Sequence, residues 1–191
     1  MNKNRLEAFS DGVLAIIITI MVLELKAPQG YAWADIKPLM PQLISYVMSF
    51  LFVGVYWGNH HHLLHLTKHF SSGIMLANLN LLFWLSLVPF ATGWVGENHF
   101  AAVPVCVYAV LLNVCGISYT ILQKTIEACN NDAGVKMVMK RQTVKGLISV
   151  AAYSLAAILA FVQPYISVAI FFAVAFVWLV PDKNIEKLMQ R

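Results

Sequence analysis

Six apolar runs, at about residues 9–25, 39–58, 72–94, 100–123, 146–162 and 165–180, take up most of this 191-residue chain. A hydrocarbon core roughly 30 Å thick is crossed by about 20 helical residues, so a chain of this length holds several spans and little else. The apolar residues run continuously instead of at every second position, which argues for helices and against an outer-membrane barrel. Composition agrees: 60% of residues are hydrophobic and only 12% charged, against about 25% charged in a soluble domain. The fold class is therefore all-α, a single six-span membrane domain over residues 1–191.

The last two runs are separate spans. One helix over 146–180 would rise about 52 Å, far more than a bilayer, and Gln163-Pro164 stands at its middle. Connections are short except 124–145, which reads as a polar, basic loop turning at Asn130-Asn131-Asp132. Lys3, Arg5, Lys68, Lys124, Lys136, Lys140, Arg141, Lys145, Lys183, Lys187 and Arg191 then share one side, against Lys26 and Lys37 on the other. The positive-inside rule puts both termini in the cytoplasm of a multi-pass cell-membrane protein. The net charge of +4 is thus taken up by orientation and not by nucleic acid. Lys26-Ala27-Pro28 makes no small-residue cleavage site, so no signal peptide is expected.

Cys106, Cys115 and Cys129 lack any C-x-x-C spacing and point to neither disulfides nor a thiolate zinc site. No nucleophile and base, and no paired carboxylates, sit together, so an enzyme is not expected. The two halves of the chain show no repeat, and a pore would need several copies of it.

The first span is the unusual one. It carries Ser10, Asp11, Thr19 and Glu24 around Ile16-Ile17-Ile18-Thr19-Ile20, and polar groups at membrane depth face protein or water. At about 100° per residue, Gly12, Ile16, Thr19 and Leu23 form one stripe and Asp11, Ala15, Ile18 and Val22 another. The first stripe could converge on a symmetry axis, an apolar ring gating by dewetting and a hydroxyl ring replacing ion-bound water. The second would point its carboxylate into its own protomer. Plain packing is the commoner reading of Ile and Leu at such spacing, and Ser10 and Asp11 could equally cap the helix start.

Arg5-Leu6-Glu7-Ala8-Phe9-Ser10-Asp11-Gly12 resembles the R-x-x-x-F-S-D-[GA] signature that opens the first helix of the transmembrane protein 175 family of potassium channels. Tyr56-Trp57-Gly58-Asn59-His60-His61 is similar to that family's aromatic and histidine-rich second span. The resemblance implies a homotetramer around one pore, potassium-permeable, with Ile16 as the apolar constriction and Thr19 and Leu23 as further rings. It also implies that Arg5, Asp11, Trp57 and His61 brace the pore helix, with Phe9, Ser10 and Gly12 completing the motif. Partners are then further copies of the chain, the lipid bilayer and K+ ions, with no resident cofactor. No T-V-G-Y-G filter occurs, so only modest selectivity is expected.

Histidines supply the rival reading. His60, His61, His62, His65 and His69 crowd the end of the second span, and His61 with His65, or His62 with His69, share a helix face as two metal ligands would. A metal or proton transporter, or a haem-binding membrane protein, would use such residues, although no carboxylate or further apolar span supplies an evident partner.

Overall fold

A computed structural model describes residues 3–67, 71–130 and 133–180. All of its regular structure is helical: α1 (Lys3–Leu23), α2 (Met40–His65), α3 (Ser72–Leu85), α4 (Val88–Glu97), α5 (Ala102–Ala128), α6 (Ala133–Leu159) and α7 (Pro164–Leu179), with a 3-10 helix, Trp33–Leu39, leading into α2. α3 and α4 together form one span, so six crossings result, five of them long and apolar enough to traverse a bilayer and the last, α7, shorter. The protein is a multi-pass membrane protein.

The third crossing is broken for a stated reason. Pro89, the second residue of α4, cannot donate to the Leu85 carbonyl and its ring crowds that turn. The chain tightens there instead, with Leu87 N donating to Trp84 O at 3.2 Å and Ser86 Oγ to Phe83 O at 2.7 Å. Pro164 opens α7 in the same way, and Gln163 N closes α6 on Leu159 O at 2.8 Å, making the tight hairpin the sequence calls for. At the connection between α4 and α5, on the same side, His99 and Phe100 take left-handed φ values of 53° and 58°, which reverses the chain and buries Phe100 beside Tyr165.

The loop expected over 124–145 is largely helix. α5 continues to Ala128 and α6 begins at Ala133, so basic residues read as a loop lie on helical faces. Polarity misleads here because these turns lie beyond the hydrocarbon core, where a polar helix is stable if its partner satisfies it. Gln123 Nε2 does so, 2.6 Å from Met139 O and 2.8 Å from Thr143 Oγ1, clamping α5 to α6. Asn130 caps the connection by donating to Leu66 O at 2.9 Å; Asn131 and Asp132 of the expected turn lie outside the described residues.

One contiguous apolar core joins the helices, built around Leu14, Ile17, Met48, Leu81, Tyr108, Leu112 and Leu122. Hydroxyls are paired across it: Ser49 Oγ and Tyr108 Oη share a 2.8 Å hydrogen bond, and Thr92 Oγ1 lies 2.6 Å from Ser49 Oγ. Lipid offers no partner to a buried hydroxyl, so this chain fixes how α2, α4 and α5 meet. α4 comes close to α2 at Gly96, where an added Cβ would sit 2.8 Å from Gln42 Cα and 2.6 Å from Ser45 Oγ. Gly96→Ala is expected to destabilise the fold by about 1–3 kcal/mol through overpacking. Gly146→Ala, whose nearest neighbour would be an ordinary contact at 3.7 Å, should leave the melting temperature of the purified protein unchanged; equal melting of the two variants would refute the close approach.

Candidate pore helix and its support

α1 presents three faces. Leu6, Ser10, Leu14, Ile17 and Met21 are its buried residues, spaced i, i+4, i+8, i+11 and i+15. Gly12, Ile16, Thr19 and Leu23 lie on the opposite side, about 150° away at 100° per residue. All four are exposed, Ile16 at 58% and Leu23 at 78%. The Asp11 stripe lies between these faces and is not buried as a whole: Asp11, whose carboxylate meets Trp57 of α2, and Ile18 are half-buried at its edge, while Ala15 and Val22 are exposed. Charge alone suggested the inward direction for Asp11; the residue that goes inside is its neighbour Ser10, whose single hydroxyl is far less costly to satisfy.

Ser10 is tied in a short polar chain. Its Oγ donates to Leu6 O at 2.8 Å and accepts from Asn78 Nδ2 at 2.9 Å; Asn78 Oδ1 in turn lies 2.6 Å from His60 Nε2. An amide oxygen only accepts, so the proton of a neutral His60 sits on Nε2 and leaves Nδ1 a bare acceptor. That Nδ1 is buried with no partner among the described residues. Three elements, α1, α2 and α3, are thereby joined at one buried point.

Two further contacts hold the outer flank of α1 to α2. Trp57 Nε1 donates to Asp11 Oδ1 at 3.1 Å, and His61 Nδ1 lies 2.9 Å from Glu7 Oε1. The structure thus brings together Asp11 with Trp57 as a pair, but places His61 on Glu7 and not on Asp11. Arg5 and Phe9 are exposed at the start of the helix. Lys3 Nζ donates to His65 O at 2.8 Å, closing the same end. Glu7 is the member sequence reasoning passed over; Asn78 makes the interhelical hydrogen bond expected of a polar residue in the third span, and His60 was grouped only with the histidine cluster. A signal for His60 was available: Ser45, Ser49, Phe52, His60 and Leu63 lie on one helical stripe of α2, and all are buried.

The histidine-metal reading meets a different geometry. His61 and His65 stack with ring centroids 6.3 Å apart, and His62 stands edge-on to His61. Among the described residues no group of three or more His, Cys, Asp or Glu side chains is placed to hold a metal ion; His69 lies outside them. On the exposed stripe of α1, Thr19 Oγ1 donates to Ile16 O at 2.9 Å, which leaves the hydroxyl oxygen free to accept. A groove of about 600 Å³ runs beside this stripe between α1 and α4, lined by Ile16, Ile20, Pro89 and Trp94 and ending at Glu24 and Glu97. Glu97 is paired there with Lys26 at 3.2 Å.

Comparison with known proteins places these features. The family model described as endosomal/lysosomal potassium channel TMEM175 matches residues 5–89, which cover most of α1, all of α2 and α3 and the start of α4. A potassium channel of Chryseobacterium sp. (strain P1-3) is 48% identical over 190 residues, spanning 100% of this chain and 99% of that protein. The crystal structure of a lysosomal potassium-selective channel TMEM175 homolog from Chamaesiphon minutus superposes with a TM-score of 0.82 at 30% identity, over 93% of this chain and 96% of the other. The human endosomal/lysosomal proton channel TMEM175 is 34% identical over 96 residues, 44% of this chain and 19% of that protein.

The buried chain is expected to matter more than polar ties nearer the surface. Asn78→Ala would strand both His60 ring nitrogens and cost about 1–3 kcal/mol. Asn80→Ala, which breaks only the part-exposed bond to Ser118, should cost about 0.6 kcal/mol, the average for such bonds in membranes. Thermal unfolding of the two purified variants in detergent checks the order, and a reversed order would show that α1 is held elsewhere.

Proposed function

Because the chain belongs to the transmembrane protein 175 family of ion channels, we propose that it conducts potassium through a pore formed by α1 from four copies of the chain. Ile16 forms the narrow apolar ring, Thr19 the hydroxyl ring one turn on, and Leu23 a third ring beyond it. One observation carries the reading: Glu7, Ser10 and Asp11, through which α1 bonds to α2 and α3, lie on its buried side or flank, while Gly12, Ile16, Thr19 and Leu23 stand exposed about 150° from the buried stripe. A face that is uncovered in one protomer, on the helix that carries the family motif, is the face left for a central axis.

The mechanism follows from the side chains. An isoleucine ring narrow enough to shed water opposes ion passage until it widens or wets. Thr19 oxygens, already donating to the Ile16 carbonyls, offer lone pairs to a dehydrating cation, and this gives modest discrimination and not that of a carbonyl filter. The groove between α1 and α4 is where an adjacent copy sits, covering Ile20 and Trp94. Arg5, Asp11, Trp57 and His61 act as supports, with Phe9, Ser10 and Gly12, and no cofactor besides the permeant ion is required. The excess of Lys and Arg at the end holding Lys3 and Lys145 favours cytoplasmic termini in a cell membrane.

The test is the reversal potential of purified protein in a planar bilayer with potassium on one side and sodium on the other. Wild type should reverse toward the potassium equilibrium value. Ile16→Asn should raise conductance or move the reversal toward zero, while Ile18→Asn, on the half-buried flank, should alter assembly more than permeation. Unchanged currents in Ile16→Asn with altered permeation in Ile18→Asn would overturn the facing of α1.

A further inference from the structure

At about 1.5 Å per residue, α5 and α6 are each about 40 Å long, some 10 Å more than a hydrocarbon core. Both have 27 residues. Twenty residues counted back from Leu159 place the core boundary of α6 near Lys140, and twenty counted on from Ala102 place that of α5 near Ile121. Lys124, Lys136 and Lys140 therefore stand together at headgroup level. They line one groove of about 630 Å³ between the two helices, whose other walls include Glu127, Met137 and Val144. Three ammonium groups face one carboxylate there, and all three lysines are exposed.

The floor of this groove leads into the membrane. Val144, Ile148, Leu155 and Ile158 recur at i, i+4, i+11 and i+14, and each is at least half exposed. They continue the line of Met137 and Lys140 up α6 at helical spacing. α6 packs chiefly against α5 and α7, with no substantial contact to α1, so this face is on the periphery of the bundle. A cationic pocket at headgroup depth opening onto an apolar ramp of about 21 Å matches one kind of molecule: a phosphate group with acyl chains attached.

We infer that the groove between α5 and α6 is a binding site for an anionic phospholipid, its phosphate held by Lys124, Lys136 and Lys140 and an acyl chain laid along Val144 and Ile148. Lys145 is set one turn deeper and is engaged elsewhere, its Nζ 4.5 Å from the centre of the Trp178 ring. The groove is consequently formed by the three lysines above it.

The test uses the full-length protein in nanodiscs of mixed phosphatidylglycerol and phosphatidylcholine, followed by native mass spectrometry of the lipids retained on delipidation. Wild type should keep phosphatidylglycerol in preference. Removing each lysine should weaken that preference roughly fivefold, so that Lys124→Gln, Lys136→Gln and Lys140→Gln combined bring it to the phosphatidylcholine level. Lys183→Gln, Lys187→Gln and Arg191→Gln combined remove as many charges elsewhere in the chain and should leave it intact. Met137→Glu, a single change at an exposed position, should reduce it as well. Equal retention of the two lipids, equal loss in the groove and tail variants, or displacement of phosphatidylglycerol by excess inorganic phosphate would each overturn the site.

Discussion

A hydroxyl or amide inside a membrane protein has only the protein to bond with, and the orientation of α1 depends on that constraint. Ser10 is the one polar side chain on the buried stripe of α1, and it is saturated by Leu6 O and Asn78 Nδ2. Turning the helix by one residue, about 100°, would strand Asn78 and His60 in the core and take Ser10 out of it. The exposure of Ile16 and Thr19 is thus a consequence of where Ser10 must be. The face proposed for the pore is specified from behind, by a hydrogen bond on the opposite side of the helix.

The outer ties differ in kind. Trp57 with Asp11 and His61 with Glu7 are partly exposed, and ion pairs open to solvent contribute little individually. They add an angular restraint near the start of α1. The buried triad supplies the position, and the flanking pairs limit rocking about it.

Much of this was readable from the sequence, and the failures have physical causes. The six crossings follow from apolar length, the hairpin from Gln163-Pro164, and the family from the run Arg5 to Gly12. Helical periodicity gives the angle between stripes but not which stripe is inside. The rule that charges turn inward therefore selected Asp11, although its neutral neighbour is cheaper to bury. Five closely spaced histidines concealed the important one, since only the spacing of His60 from Ser49 and Phe52 distinguishes it from His61. The helical character of 133–145 was hidden because a helix beyond the core may be as polar as a loop, and the Gln123 clamp that stabilises it comes from a different span.

These polar contacts form one connected series through the subunit. Gln123 holds α6 to α5; Tyr119, one turn back on α5, donates its hydroxyl to Asn59 O at 3.2 Å. Asn59 directly precedes His60, which leads through Asn78 to Ser10. The collar of long helices at the basic end and the helix bearing the motif are therefore linked by hydrogen bonds between rigid elements, with no flexible loop in the path. Such a path moves as a unit or breaks at its weakest bond. Its weakest bond is the part-buried contact of Tyr119 with Asn59 O, whereas the segment from His60 to Ser10 is buried and breaking it costs more, so α1 stays tied to α2 and α3 when the path yields.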